Sequence, residues 1–169
     1  MKIVLVALLF AASAFAQDQP AGVSPACGPG DASFEVKVDR SQHAMAEPEA
    51  GKALVYFIQD TGVKVTFGIY PITTVGIDGA WVGAYKNDSY FSVAVEPGEH
   101  HLCANIRSLS TGHQVEFAHL TAEAGKVYYY RTRMFATQGQ LYFELNPADS
   151  DEARYLIASD PLSVSQPKK

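Results

Sequence analysis

Apolar and polar residues alternate with a period of two along most of this chain. Phe34, Val36 and Val38 interleave with Glu35, Lys37 and Asp39, the pattern of a strand with one wet face. Lys52 to Gln59 is apolar on both faces and reads as a central strand. Val63 to Ile77 is β-branched but interrupted by Gly68 and Pro71, which predicts a strand, a bend and a second strand. Trp81 to Tyr85 follows the Asp78-Gly79 turn. Beyond Asn87-Asp88, Phe91, Val93 and Val95 point one way and Tyr90, Ser92 and Glu96 the other. Leu102, Ala104 and Ile106 alternate with His101, Cys103 and Asn105, so Tyr90 to Val95 and His100 to Arg107 are expected to pair as an antiparallel hairpin across Pro97-Gly98. Val115 to Thr121, Lys126 to Phe135 and Leu141 to Leu145 add further strands.

The rhythm changes only at Pro147 to Ser159. Pro147 and Asp149 suit a helix start, Ala153, Leu156 and Ile157 share one helical face, and Pro161 ends the element. Short strands with Gly/Pro turns and no βαβ rhythm predict an all-β fold, an antiparallel β-sandwich with a short C-terminal helix.

Met1 to Ala16 carries an early cation, Lys2, an apolar run from Ile3 to Phe15 and small residues at Ala14 and Ala16, the layout of a secretory signal peptide. The apolar run is shorter than the roughly 20 residues a membrane-spanning helix needs, so no transmembrane anchor is expected in the mature chain. The expected organisation is a signal peptide over 1–16, an extended segment over 17–32, a single β-sandwich domain over 33–160 and a flexible tail over 161–169. Secreted or periplasmic residence follows. The chain has 13 basic and 18 acidic residues, net −5, and loss of Lys2 with the leader makes the balance more acidic. That excludes nucleic acid as an expected partner, which would need clustered Lys and Arg.

Cys27 and Cys103 are the two cysteines. In an oxidising compartment they are expected to form one disulfide, worth roughly 4 kcal/mol in the chain-entropy view. Cys-x-x-Cys spacing is absent from the sequence, and Cys103 lies in a strand, which leaves metal-ligand and nucleophile readings without a motif.

The stretch Val75-Gly76-Ile77-Asp78-Gly79-Ala80-Trp81-Val82-Gly83, then Tyr90-Phe91, then Pro97-Gly98-Glu99-His100, and finally Gly125-Lys126-Val127-Tyr128-Tyr129, resembles a domain-of-unknown-function family of bacterial secreted proteins and lipoproteins. The resemblance covers roughly Gly51 to Arg133. Its Asp-Gly and Pro-Gly-x-His turns are also similar to PEGA-type surface domains. It implies an extracytoplasmic β-sandwich, Ig-like or PEGA-like, with no established activity to carry over. Many such relatives keep a lipid-anchor cysteine, whereas the first cysteine here lies well beyond the apolar core.

Histidines are the group that invites a chemical reading, because imidazole binds metals and titrates near neutrality. His100 and His101 are adjacent on a strand and should point to opposite faces, so they do not share one ion. His101 with His119, or with Glu116, could meet across neighbouring strands. His113 completes the set, and satisfied surface or edge histidines explain it without a metal. Asp78 and Asp88 read as turn caps. Asn87-Asp88-Ser89 matches a glycosylation acceptor, a chance match in a chain with this bacterial character.

Tyr128, Tyr129 and Tyr130 with Tyr142, Tyr90, Tyr85 and Trp81 form a dense aromatic set. Rings stack on sugars and anchor protein interfaces, so a binding face at Trp81, Tyr129 and Arg131 is expected, with Arg131 and Arg133 paired to Glu144. No catalytic, cofactor or metal residue is assigned. The functional expectation is a non-enzymatic exported module for an envelope protein or glycan, or an accessory subunit of an envelope complex. The rival is a metal-assisted hydrolase built on His101, His119 and an acidic neighbour, without a His-Glu-x-x-His or Gly-x-Ser-x-Gly motif.

Overall fold

A computed structural model describes residues 26–30, 32–43, 45–61, 72–108, 112–137 and 140–168. The expected signal peptide, most of the expected extended segment and the first part of the Val63 to Ile77 region lie outside the described residues. The elements are β1 Phe34–Asp39, β2 Ala53–Asp60, β3 Ile72–Ile77, β4 Ala80–Lys86, β5 Ser89–Val95, β6 Gly98–Ser108, β7 Gly112–Ala122, β8 Val127–Thr137, β9 Gln140–Pro147, α1 Ser150–Ser159 and β10 Leu162–Pro167. They form two sheets, one ordered β1-β10-β5-β2-β8-β9 and the other β4-β3-β6-β7.

Strand β2 organises both layers. Ala53, Val55 and Phe57 face the second sheet and share the main core with its Val75, Tyr85, Leu102 and Ala104, and with Phe91 and Tyr130 of their own sheet. Leu54, Tyr56 and Ile58 face the other way and pack with Tyr90 and Tyr129 beneath Ala153 and Ile157 of α1. The two-faced apolar run thus has two coverings, as a central strand requires. Helix α1 starts where Asp149 accepts hydrogen bonds from the backbone N–H of Asp151 and Glu152, with both acidic residues in the first turn.

Three expectations change. Strand pairing is mixed rather than antiparallel throughout, because β2 runs parallel to β8 and β10 parallel to β5. β5 and β6 are not a hairpin: β5 pairs with β2, β6 pairs with β3 and β7, and Pro97-Gly98 carries the chain from one sheet to the other. The third concerns 161–169, expected as a tail. Leu162–Pro167 is β10, antiparallel to β1 from Phe34↔Pro167 to Asp39↔Leu162, and the Lys168 N–H donates to Ser33 O at 2.8 Å.

The reason for β10 lies in its serines. Ser163 is buried and its hydroxyl lies 2.8 Å from that of Ser89, while Ser165 Oγ accepts the backbone N–H of Ala84 at 3.1 Å. Its inward positions are therefore polar and satisfied, and Val164 on the other face is exposed. That hydrogen bond to Ala84 also ties β10 to the edge strand β4 of the opposite sheet.

Phe91 sits where the layers meet. Its ring is 5.4 Å from those of Phe57 and Tyr85 and rests against Gly83, where a Cβ would come within 2.8 Å of it. Phe91→Ala is expected to cost about 3 to 5 kcal/mol, read as a lower denaturation midpoint with an unchanged slope. A midpoint equal to the parent's would mean that Phe91 is not in the core.

Candidate functional site

The Asp-Gly and Pro-Gly-x-His residues converge on one carboxylate. Asp78 and Gly79 form the two-residue turn between β3 and β4 with φ of 50° and 82°, and positive φ at both centres is the type I′ hairpin condition. Held there, Asp78 Oδ1 accepts the His101 backbone N–H at 2.8 Å, Asp78 Oδ2 lies 2.6 Å from His100 Nδ1, and the Asp78 N–H donates to His101 O at 3.0 Å. His100 Nε2 in turn lies 2.7 Å from Glu96 O, at the sheet-to-sheet crossing. Gly98, with φ of 140°, lets the chain return for that contact. The imidazole thus bridges two turns, and both acceptors are satisfied together only when both ring nitrogens carry protons.

The electrostatics agree. Burial alone would push the His100 pKa down, but the bonds to Asp78 and to the Glu96 carbonyl, with the Asp78 charge, raise it. Burial likewise pulls Asp78 upward, and the His101 N–H and the His100 ring outweigh that to leave it lowered. These residues act as a structural clasp.

His101 and His119 are directly opposite on β6 and β7, with ring centroids 4.7 Å apart in an edge-to-face arrangement. They line an open cavity of about 200 Å³ with Glu99, His100, Leu120 and Thr121. Glu116 pairs with Ala104, whose side chain is in the core, so strand alternation puts it on the opposite face from His119. His113 stands opposite Arg107 in register, and its side chain is outside the described residues. Among the described residues no group of three or more His, Cys, Asp or Glu is arranged to hold a metal ion, which argues against the hydrolase.

Trp81 lies beside the disulfide. Cys27 and Cys103 are bonded, with Cα atoms 5.3 Å apart. The bond lays residues 26–30 across the outer face of β3, where Gly76 leaves the space: a Cβ there would stand 2.7 Å from Ala26 O and 2.8 Å from Cys27 Cα. The Trp81 indole covers Gly28, and its N–H donates to Pro29 O at 3.3 Å. Trp81 is therefore half-buried against this strap.

The rest of the expected binding face is differently placed. Tyr129 is 8% exposed and stacks on Tyr56, with centroids 5.6 Å apart, beneath α1. It presents no ring to solvent, because the helix returns over that face of the sheet. Arg131 Nη2 pairs with Asp60 at 2.9 Å and its Nη1 pairs with Glu152 of α1. Arg133 stands opposite Glu144 in register.

The expected face left out three exposed rings: Tyr142, which the aromatic set included, and Phe117 and Tyr155, which it did not. Phe117 is 60% exposed on the outer face of β7, next to Cys103 in register. Tyr142 is 38% exposed and stacks on Phe135 at 5.8 Å, where α1 no longer covers β8 and β9. Beside that pair runs an open groove of about 140 Å³ lined by Arg131, Arg133, Glu144, Asn146 and Glu152. The alternation of Tyr142 with Phe143 marked which ring would face outward, but not which part of that face α1 covers.

A family model described as "Protein of unknown function (DUF2846)" matches residues 49–145, more than half of the chain, from just before β2 into β9. No curated protein and no solved structure matches.

Two outcomes test this geometry. His100 contributes stability that is complete below its ordinary value of 6.5 and is lost as pH rises through its raised value; Asp78 contributes above 3.8 and loses its part as pH falls through its lowered value. The melting temperature of His100→Gln is therefore expected to lie furthest below the parent's at mildly acidic pH, with the gap closing as pH rises; a constant gap from acid to alkaline pH would contradict the clasp. Reduction of Cys27–Cys103 should release the strap and red-shift the fluorescence of Trp81, the chain's single tryptophan. An unchanged spectrum in a fully reduced sample would mean that the strap holds without the bond.

Proposed function

The chain belongs to the family of proteins of unknown function (DUF2846), and on that footing we propose that it is a non-enzymatic, exported two-sheet module that binds a glycan of the cell envelope. Secreted or periplasmic residence is supported by the leader pattern of Met1 to Ala16 and by the disulfide. The two-sheet fold supports a β-sandwich module, with the parallel β2–β8 pairing setting it apart from a purely antiparallel one.

The observation that carries the binding role is the Phe135–Tyr142 stack beside the groove of Arg133, Glu144 and Asn146. A flat ring pair next to forked donors and acceptors fits a pyranose, whose C–H face packs on aromatics while its hydroxyls bond to guanidinium, amide and carboxylate groups. The turn residues support the non-enzymatic part, since Asp78 and His100 have their polar atoms committed to holding turns.

Retention of the purified protein on insoluble envelope polysaccharide tests the reading. Tyr142→Ala is expected to weaken retention about tenfold, equivalent to about 1.4 kcal/mol, with an unchanged far-ultraviolet spectrum. Retention equal to the parent's by both Tyr142→Ala and Arg133→Ala would remove this face from the function; retention on envelope protein alone would replace the glycan with a protein partner.

A further inference from the structure

We propose that His101 and His119 form a two-imidazole site for a divalent d-block cation, tightest for Cu²⁺, on the outer face of the four-stranded sheet. The site is independent of the β8–β9 face and of any reaction. Its basis is register: the two residues are Cα partners on adjacent antiparallel strands, and their rings already touch, with centroids 4.7 Å apart. Side chains opposite each other on one sheet face have Cβ atoms about 4.5 to 5.5 Å apart. Metal–nitrogen bonds of about 2.0 to 2.1 Å in a cis arrangement need two ring nitrogens about 3 Å apart. Rotation about χ2, a broad torsion, brings the half-buried His101 ring and the exposed His119 ring to that spacing without moving the backbone.

The backbone at both residues is tied in place. His101 is bonded through its N–H and its carbonyl to Asp78, and His119 O accepts the Tyr130 hydroxyl at 2.6 Å. The two rings thus stand on fixed strands, which limits the ordering cost of chelation. His100 is excluded, because its nitrogens face Asp78 and Glu96 O. The open cavity in front of the pair has room for coordinated water, and Glu99, two residues before His101, shares its face of β6.

Two neutral nitrogen donors with water completing the shell suit Cu²⁺, Ni²⁺ and Zn²⁺, with Cu²⁺ tightest in the usual order of divalent affinities. Two protein ligands fall short of the three that a catalytic zinc centre uses, so the site is an exchangeable surface one.

Titration of the full chain with Cu²⁺ in a non-coordinating buffer, followed by calorimetry and electron paramagnetic resonance, provides the test. Expected are one equivalent bound with imidazole nitrogen couplings, a loss of about tenfold or more in affinity for His101→Gln and for His119→Gln, and no further loss in the double variant. His43, whose ring nitrogens lie 2.9 Å from Asp160 O and 3.0 Å from Arg40 O, is the control, and His43→Gln should bind as the parent does. Parent-like binding by both single variants would place the ion elsewhere and overturn the proposal, as would the absence of saturable binding. A folded far-ultraviolet spectrum for each variant keeps the comparison valid.

Discussion

Burial of β2 on both faces is the constraint from which the rest of the architecture follows. A strand from Ala53 to Asp60 with seven buried residues in a row needs hydrogen-bonded neighbours on both edges and apolar cover above and below. The edges are filled by β5 and β8, the inner face by the second sheet and the outer face by α1. Because β8 runs parallel to β2, no hairpin can join them, and a crossover is obligatory. Here the intervening chain builds β3, β4, β6 and β7 of the second sheet and places β5 on β2's other edge, so the crossover itself supplies the layer that β2 needs.

Such a path requires the chain to leave one sheet for the other several times. After the first passage, from β2 to β3, it does so between β4 and β5, between β5 and β6, and between β7 and β8. The passage from β5 to β6 is held by the Asp78–His100–Glu96 clasp, which joins the β3–β4 turn to the point where β5 ends. The most recognisable polar residues of the chain are thus explained by topology. A histidine beside an aspartate at 2.6 Å has the outward form of a catalytic pair, but the other ring nitrogen is occupied by a main-chain carbonyl.

Much of this was legible in the sequence. Two-sided apolarity marked β2 as central, alternation gave the correct faces of Phe91, Val95, Leu102 and Ile106, and the turn at Asp78-Gly79 was specified by residues that tolerate positive φ. Asp149 marked the helix start. Less legible was where strands pair. Pro97-Gly98 has the same chemistry in a hairpin as in a passage between sheets, because the local backbone does not encode which strand lies alongside. Strand β10 was hidden since its inward positions are Ser163 and Ser165, whose hydrogen-bond partners Ser89 and Ala84 are far away in the chain. For the binding face, alternation correctly set Tyr129 and Arg131 together, but the same face is covered at one end by α1 and bare at the other, a matter of tertiary packing.

The outer faces of the two sheets are protected by different means, and this decides where partners can approach. On the six-stranded sheet, a ten-residue helix covers the Tyr56–Tyr129 region and leaves Tyr142 exposed. On the four-stranded sheet the cover is a strap fastened by one disulfide, fitted into the notch at Gly76 and closed by Trp81. Beyond that strap, Phe117 and His119 stand on an edge strand whose outer positions meet solvent. A natural edge strand this long normally carries charge or a bulge to discourage pairing with other chains. Here Tyr130 reaches across from the other sheet to bond His119 O, so part of that edge is occupied from within the molecule. The hydroxyl that blunts the edge also fixes the backbone under His119, which makes this end of β7 a firm platform for the side chains it presents.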